Sequence, residues 1–306
     1  MATTLPARRP EWLKARLPAG ANYTDLSDIM RTQTLHTVCE EARCPNIGEC
    51  WERRTATFLI LGNVCTRNCS YCAIAHGLPT ELDLAEPDRV ADAVRSMGLR
   101  HAVITSVNRD DLADGGAGVY AALIRRIHET TPACTVEVLI PDLKGDAPAL
   151  RTILEAAPEI LAHNIESVRR VFKVVRHGGD YRRSLELLRR AKEWGYTSFT
   201  KSGIILGMGE TWDELVQTMD DLRAADCDIL TLGQYLRPGP DYHPIDRYYT
   251  PAEFAELRQI GLARGFRYVE SGPLVRSSYR ADVQAAAVRA FRARVGTGLL
   301  PAEQTS

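Results

Sequence analysis

The 306-residue sequence lacks the features that would direct it to a membrane or to nucleic acid. No apolar run approaches the ~20 residues that a membrane-spanning helix needs. Charge is balanced, because 38 Lys and Arg side chains stand against 39 Asp and Glu side chains, for a formal net charge of −1. A strong excess of basic residues would favour nucleic acid or an anionic membrane surface. We therefore expect neither as a partner.

Other signals of targeting or of unusual composition are missing too. The first ten residues include basic side chains but not the apolar core of a secretion signal. No internal repeat or low-complexity segment is found, and a hydrophobic content of 45% is ordinary for a globular protein. Together with the cysteine usage described next, these features predict a protein of the reducing cytoplasm.

What the chain does have is an unusual arrangement of cysteine. Six of its eight cysteines form two triplets, a C-x4-C-x5-C at Cys39, Cys44 and Cys50 and a C-x3-C-x2-C at Cys65, Cys69 and Cys72. Cysteine thiolate is the usual ligand of iron in [4Fe–4S] clusters. Three thiolates hold three irons and leave the fourth open, where the amine and carboxylate of a small molecule can bind. The spacing thus predicts two clusters, each one cysteine short.

Zinc and disulfides are the alternatives for these cysteines. Structural zinc usually takes four protein ligands at ribbon or finger spacings, which odd-numbered triplets do not provide. A chain of this length does not need disulfides for its stability. The two remaining cysteines, Cys134 and Cys227, adjoin strand-like runs, and we expect both to be small core residues.

Apolar runs alternate with amphipathic stretches along most of the chain. Alternation of this kind predicts βαβ units and a parallel sheet. Six units are too few for a complete eight-stranded barrel, so the pattern is compatible with a partial barrel and with an open sheet. The predicted strands cover residues 57–61, 101–105, 136–140, 160–164, 198–205 and 228–232, and the clearest predicted helices cover 88–97, 119–129, 184–194 and 211–223.

Polar residues collect where these strands end. The second cysteine triplet follows the first strand, an acidic stretch at 106–116 follows the second, and residues 164–166 close the fourth. In barrels of parallel strands, residues at the carboxyl ends of the strands form the active-site face. Taken alone, the acidic stretch is equally compatible with a solvated turn.

With these motifs in place, the sequence resembles the radical S-adenosylmethionine (SAM) enzymes, and is most similar to the lipoyl synthase family. The resemblance runs from about residue 10 to residue 281. A C-x3-C-x2-C loop alone marks only the superfamily, whereas the C-x4-C-x5-C and the Arg276-Ser-Ser-Tyr279 tail point to this family. The matching motifs lie at residues 41–51, 65–72, 105–116, 201–203, 233–236 and 272–279.

The resemblance implies an α/β fold, a partial (β/α)6 TIM-type barrel with extensions that carry an auxiliary iron–sulfur cluster. The N-terminal extension, residues 1–55, would contain the first cysteine triplet. The barrel would span residues 56–265. The C-terminal extension, residues 266–306, would contain the Arg-Ser-Ser-Tyr motif.

The resemblance also implies the cofactors and the reaction. Cys65, Cys69 and Cys72 would hold the [4Fe–4S] cluster that binds SAM, whose one-electron cleavage yields a 5′-deoxyadenosyl radical. Cys39, Cys44 and Cys50, with Ser278 as fourth ligand, would hold an auxiliary [4Fe–4S] cluster that donates sulfur. The target would be a protein-bound octanoyl-lysine, which gains sulfur at C6 and C8. Neither carbon bears a group that would let a side-chain base remove its proton, which is a physical reason for radical chemistry.

Further site residues follow from the same resemblance. Tyr71 would contact the adenine of SAM, with packing of its ring as the alternative. Asp110, Asn164 and Glu166 would line the SAM and substrate end of the barrel. Three more candidates for pocket polarity, for each of which a salt bridge is equally plausible, are Lys201, Gln234 and Arg276.

The partners implied are octanoylated lipoyl carrier domains, namely 2-oxoacid dehydrogenase acyltransferase subunits and the glycine cleavage H protein. An electron donor such as flavodoxin or ferredoxin and an iron–sulfur carrier that rebuilds the auxiliary cluster are implied as well. The rival functions are another sulfur-inserting radical SAM enzyme and a non-catalytic iron–sulfur carrier. A carrier would have fully ligated clusters, which two three-cysteine sets do not provide.

The chain departs from the family pattern at three places. Arg280 stands where the family usually has histidine, Arg237 follows Gln234-Tyr-Leu where glutamine is common, and Ala162 precedes His163 where asparagine is common. None of these positions is a proposed cluster ligand, so the departures bear on the carrier surface or the entrance to the site.

Overall fold

The computed structural model describes residues 9–15, 17–197, 199–284 and 286. The predicted strand residue Ser198, most of the predicted C-terminal extension beyond residue 284 and the first eight residues of the N-terminal extension lie outside the described residues. The strands found in the described part are β1 (His36–Thr37), β2 (Thr57–Ile60), β3 (Val64–Cys65), β4 (Ala75–His76), β5 (His101–Ser106), β6 (Thr135–Leu139), β7 (Ile160–Ala162), β8 (Phe199–Leu206), β9 (Ile229–Gln234) and β10 (Tyr268–Gly272).

Helices lie between most of the strands. Two short 3-10 helices, Glu11–Leu13 and Leu143–Gly145, accompany α-helices of 4 to 14 residues. The α-helices are α1 (Ala21–Thr32), α2 (Val38–Glu41), α3 (Ile47–Glu52), α4 (Glu86–Ser96), α5 (Ala117–Thr130), α6 (Ala147–Leu154), α7 (Arg169–Val175), α8 (Tyr181–Glu193), α9 (Trp212–Ala224) and α10 (Pro251–Ala263). In the described residues, no helix combines the length and apolar character needed to cross a membrane.

One sheet organises the fold. Its order is β1-β2-β5-β6-β7-β8-β9-β10, and every pairing is parallel except that of β1 with β2. Strands that follow one another in sequence are neighbours in space, as in a (β/α) barrel, and the sheet is open between β1 and β10. The predicted α/β partial barrel is therefore confirmed.

The sheet has one more parallel strand than the six predicted. β10 begins at Tyr268 and pairs with β9, so it lies within the predicted C-terminal extension, while β1 comes from the N-terminal extension. The sequence of β10, Tyr268-Val-Glu-Ser-Gly272, has only one fully buried residue and thus no apolar run that marks a strand. The boundaries at 55 and 265 stay a prediction, but each extension contributes an edge strand.

Burial explains why the strands read as apolar runs. All residues of β2 and β9 are buried, because helices cover one face of the sheet and packed side chains fill the other. Cys134 and Cys227 are buried in this core, which confirms their predicted role. The capping box of Thr211 with Glu214 begins α9, as the sequence indicates.

The C-terminal segment 272–284 comes back over the carboxyl end of β9 because Gly233 leaves room for it. A Cβ on Gly233 would overlap the carbonyl oxygen of Val275 and stand 3.0 Å from its carbonyl carbon. Backbone atoms cannot rotate away as a side-chain end can. Only glycine at this position lets segment 272–284 keep its path.

We predict that Gly233→Ala displaces segment 272–284 and lowers the free energy of unfolding by about 2 kcal/mol, a typical effect of overpacking. Thermal unfolding measures the change. The control is Gly239→Ala, whose Cβ would meet Tyr242 at an ordinary 3.5 Å. Equal unfolding midpoints for the two variants would contradict this account of Gly233.

Candidate active site

The first cysteine triplet and Ser278 line one small cavity. Its enclosed volume is about 20 Å³, and it opens to solvent. The cysteines come from α2, the turn after it and α3, whereas Ser278 comes from the C-terminal segment. The residues that line the cavity include Cys39, Cys44, Cys50, Thr57, Arg276 and Ser278.

Hydrogen bonds hold the C-terminal segment against this part of the chain. Asn46 Nδ2 donates to the carbonyl oxygen of Leu274 at 2.6 Å, and Tyr279 OH donates to Glu49 at 3.1 Å. Arg53 Nη2 pairs with Asp282 at 2.8 Å. These contacts flank Cys44 and Cys50 in sequence, so they place Ser278 beside the cysteines.

The thiols of this triplet are chemically suited to a cationic cluster. Burial, together with the neighbouring thiolates of the triplet, raises the pKa of Cys39 and of Cys50 to about 12. Three buried thiols so close together ionise at neutral pH only when a cation compensates their charge. The donor set therefore fits an iron cluster.

The second triplet lies on a loop bounded by β3 and β4, at the carboxyl end of β2. Backbone N–H groups of Asn108 and Arg67 donate to Cys65 Sγ at 3.3 and 3.4 Å, as donors to a cluster sulfur would. Burial raises the pKa of Cys72 to about 12, and the thiolates of Cys69 and Cys65 add to the effect. This set fits an iron cluster on the same grounds.

Among the described residues, no three His, Cys, Asp or Glu side chains converge on a point that would hold a single metal ion. In a cubane each thiolate binds a different iron, so its ligands stand farther apart than those of one ion.

A buried ion-pair network supports the loop of Cys65, Cys69 and Cys72, which is called the cluster loop below. Arg67, between Cys65 and Cys69, donates two hydrogen bonds to Asp110 at 2.7 and 2.9 Å and one to Asp142 at 2.8 Å. Arg183 pairs with the other oxygen of Asp142 at 3.2 Å. Burial alone would raise the pKa of Asp142, but hydrogen bonding and charge from Arg67 outweigh it and lower that pKa to about 2.

Three predicted cofactor contacts come together beside the cluster loop. Burial raises the pKa of Tyr71, and the negative charge of Glu166 acts in the same direction. Burial likewise raises the pKa of Glu166, opposed by the charge of Arg176 and a hydrogen bond from Asn164. Arg176 also donates to the carbonyl oxygen of Asn164. Its part in the site was missed, because no sequence motif marks it.

Among these residues, Asn164 has a side-chain oxygen that accepts no hydrogen bond in the described parts of the chain. Its Oδ1 is buried and has no hydrogen-bond partner in the described parts of the chain. Gly203 of β8 makes the space, since a Cβ there would stand 2.9 Å from that oxygen and 2.7 Å from Thr231 Oγ1. A buried unpaired oxygen is costly. A bound ligand with a donor would satisfy it.

The side chains of three other candidate site residues form hydrogen bonds or ion pairs with other groups of the protein. Both carboxylate oxygens of Asp110 bind Arg67, so Asp110 supports the loop. Lys201 is fully buried and pairs with Glu137 at 2.7 Å inside the sheet, which is the salt-bridge alternative for this residue. Gln234 donates to the carbonyl oxygens of Leu206 and Arg247 and accepts from Tyr249, so its amide fixes a loop. Arg276 lines the cavity of the first cysteine triplet.

At two positions that depart from the family pattern, the side chain contacts a residue close to it in the sequence. The Arg280 guanidinium lies 5.4 Å from the centre of the Tyr279 ring, and Arg237 Nε donates to the carbonyl oxygen of Tyr242 at 3.0 Å.

Comparison with known proteins identifies the family. Residues 59–222 match the radical SAM superfamily, and residues 3–44 match the N-terminal domain of lipoyl synthase of that family. "Lipoyl synthase" of Rubrobacter xylanophilus is 60% identical over 276 residues, 90% of this chain and 86% of that protein. "Lipoyl synthase" of Symbiobacterium thermophilum is 58% identical over 292 residues, 95% of this chain and 91% of that protein.

The chain belongs to the lipoyl synthase family. It is therefore a radical SAM enzyme, a sulfurtransferase that uses SAM and two [4Fe–4S] clusters, and a non-catalytic iron–sulfur carrier is excluded. Lipoyl synthases insert sulfur into an octanoyl chain on a lipoyl carrier protein, and this is the reaction of the chain. The predictions of family, activity and cofactors are confirmed.

Solved structures support the fold of this lipoyl synthase family member. A maturase of the [FeFe]-hydrogenase superposes with a TM-score of 0.56 at 15% identity, covering 81% of this chain and 63% of that one. Methylornithine synthase superposes with a TM-score of 0.52 at 15% identity, covering 92% and 94%. At these identities the likeness shows the fold alone.

We predict that Asp142→Asn loosens the cluster loop. Breaking a buried ion pair costs about 3 kcal/mol here, the lower end of the usual range, because Arg67 keeps Asp110. The Asp142 pKa is depressed, so this stabilisation is present above the ordinary pKa of 3.8 and is lost as pH falls towards 2. Urea unfolding at pH 7 and at pH 3 measures the difference.

The control for this prediction is Asp241→Asn at an exposed loop position. Asp142→Asn should destabilise the protein more at pH 7 than at pH 3, whereas the control should have little effect at either pH. A loss of stability that is the same at both pH values would contradict an electrostatic role for Asp142.

Proposed function

We propose that Cys65, Cys69 and Cys72 hold the cluster that binds SAM, and that Cys39, Cys44, Cys50 and Ser278 hold the auxiliary cluster. When bound, the first cluster supplies one-electron cleavage of SAM and the second supplies sulfur. The observation that carries the proposal is the shared cavity of Ser278 and the first triplet, which joins a hydroxyl to three thiols from a distant part of the chain.

Residues of the chain divide the remaining work. Asn164 Oδ1, the free buried acceptor, would take a hydrogen bond from SAM, and Tyr71 would pack beside the adenine. Glu166 and Arg176 would balance charge next to the cluster loop. Ser278 would bind the last iron of the auxiliary cluster through oxygen, a harder and weaker partner for iron than thiolate, which suits an iron that is released as sulfur leaves.

The substrate in this proposal is an octanoyl-lysine on a carrier domain of a 2-oxoacid dehydrogenase acyltransferase subunit or of the glycine cleavage H protein. Flavodoxin or ferredoxin would reduce the first cluster, and an iron–sulfur carrier would rebuild the second. A cytoplasmic location fits, because a reducing compartment keeps the six ligand thiols from forming disulfides.

The test is anaerobic incubation of cluster-reconstituted protein with SAM, a strong reductant and an octanoyl-lysine peptide, followed by mass spectrometry. A peptide that gains two sulfurs, with loss of two hydrogens once the dithiol is oxidised to the ring, supports the proposed substrate. Formation of 5′-deoxyadenosine without thiolation of any octanoylated peptide or carrier domain would contradict it.

We further predict that Ser278→Ala keeps SAM cleavage but lowers sulfur insertion by at least about tenfold, the usual minimum for loss of a group that orients a metal site. Ser277→Ala is the matched control, because Ser277 is outside the residues that line the cavity. Quantifying 5′-deoxyadenosine and lipoyl product in one sample separates the two activities. Wild-type insertion by Ser278→Ala would refute the assignment of Ser278.

A further inference from the structure

We propose that Thr57 is a positioning residue that sets the orientation of Ser278 toward the auxiliary cluster. The inference rests on the proposed function, because it takes Ser278 as a ligand of that cluster. Thr57 belongs to none of the motifs that carry the family resemblance, and it is the first residue of β2.

The geometry is a direct contact between two hydroxyl groups. Thr57 Oγ1 donates to Ser278 Oγ at 2.8 Å, across 221 residues of sequence. Both residues line the cavity of the first triplet, and Thr57 is only 5% exposed. Among the described residues, this is the one hydrogen bond found for the Ser278 side chain.

Thr57 is well suited to fix its partner. A threonine side chain is β-branched and has restricted χ1 freedom, whereas a serine hydroxyl turns readily between rotamers. The backbone of Thr57 is fixed as well, since it stands opposite Val103 in the parallel pairing of β2 with β5. A rigid donor therefore selects the orientation of a mobile acceptor.

The contact between the two hydroxyl groups is compatible with iron binding. A serine oxygen bound to iron has given up its proton, so it can only accept a hydrogen bond. Thr57 would then be the donor across the 2.8 Å between the two oxygens.

Iron release from the auxiliary cluster tests the proposal. In a background with Cys65, Cys69 and Cys72 replaced by Ala, only the auxiliary cluster is loaded, and a coloured chelator reports its iron loss anaerobically. Thr57→Val keeps the shape and branching of the side chain but removes the hydroxyl. We expect it to release iron about tenfold faster, since partners that orient ligands typically contribute 10- to 100-fold to metal affinity. Thr57→Ser keeps the hydroxyl but loses the branching, so its rate of iron release should lie between those of Thr57→Val and the wild type.

A double-mutant comparison separates the inference about Thr57 from the proposal that Ser278 is a ligand of the auxiliary cluster. Thr57→Val should add nothing in a Ser278→Ala background, because Thr57 acts through that serine. If Ser278→Ala does not change iron release, the ligation by Ser278 fails and the role of Thr57 fails with it. If Ser278→Ala speeds release but Thr57→Val does not, only the inference about Thr57 is overturned.

The amount of lipoyl product formed per SAM cleaved, measured in the protein with both clusters, gives an independent readout. Thr57→Val should cleave SAM at the wild-type rate but form several-fold less lipoyl product per SAM cleaved, with Thr57→Ser between Thr57→Val and the wild type. Thermal unfolding of the three proteins checks that the fold is intact. Equal losses in Thr57→Val and Thr57→Ser would show that side-chain shape, and not the donated hydrogen bond, is what matters, and would overturn the proposal.

Discussion

The fixed position of the C-terminal segment 272–284 against residues 39–57 is the constraint on which the auxiliary site depends. Three cysteines close together in sequence cannot supply a fourth ligand, and the serine that completes the cavity is more than 200 residues away. The sheet solves this problem, because β10 pairs beside β9 and Gly233 lets the chain turn back over the strand end. Hydrogen bonds from Asn46 and Tyr279 then hold the segment in place.

The surroundings of the two cysteine triplets differ in a way that matches their proposed roles. The loop of Cys65–Cys72 rests on charged groups, with Arg67 between Asp110 and Asp142, and such a buried network is costly to disturb. The first triplet is completed by hydroxyl groups of Thr57 and Ser278, which form weaker bonds. A rigid support suits a cluster that is kept, and weaker contacts suit one that is consumed.

Much of this could be predicted from sequence because the signals are local. Cysteine spacing, strand–helix alternation and the capping box at Thr211 all act over a few residues, and the last two agree with the structure. The missed features are long-range or weakly patterned. β10 lacks an apolar run, Arg176 belongs to no motif, and the bond from Thr57 to Ser278 depends on which strands become neighbours. Asp110 and Lys201 look like pocket residues in sequence, but their ion-pair partners are visible only in three dimensions.

The most direct test of the central claim is a Mössbauer spectrum of ⁵⁷Fe in the auxiliary cluster, recorded on protein whose Cys65, Cys69 and Cys72 are replaced by Ala. A cubane held by three thiolates and one serine oxygen contains one iron with a distinct, harder ligand among its four irons. The account predicts a separate signal of about one quarter of the iron, which changes when Ser278 is also replaced by Ala. A spectrum that Ser278→Ala leaves unchanged would contradict it.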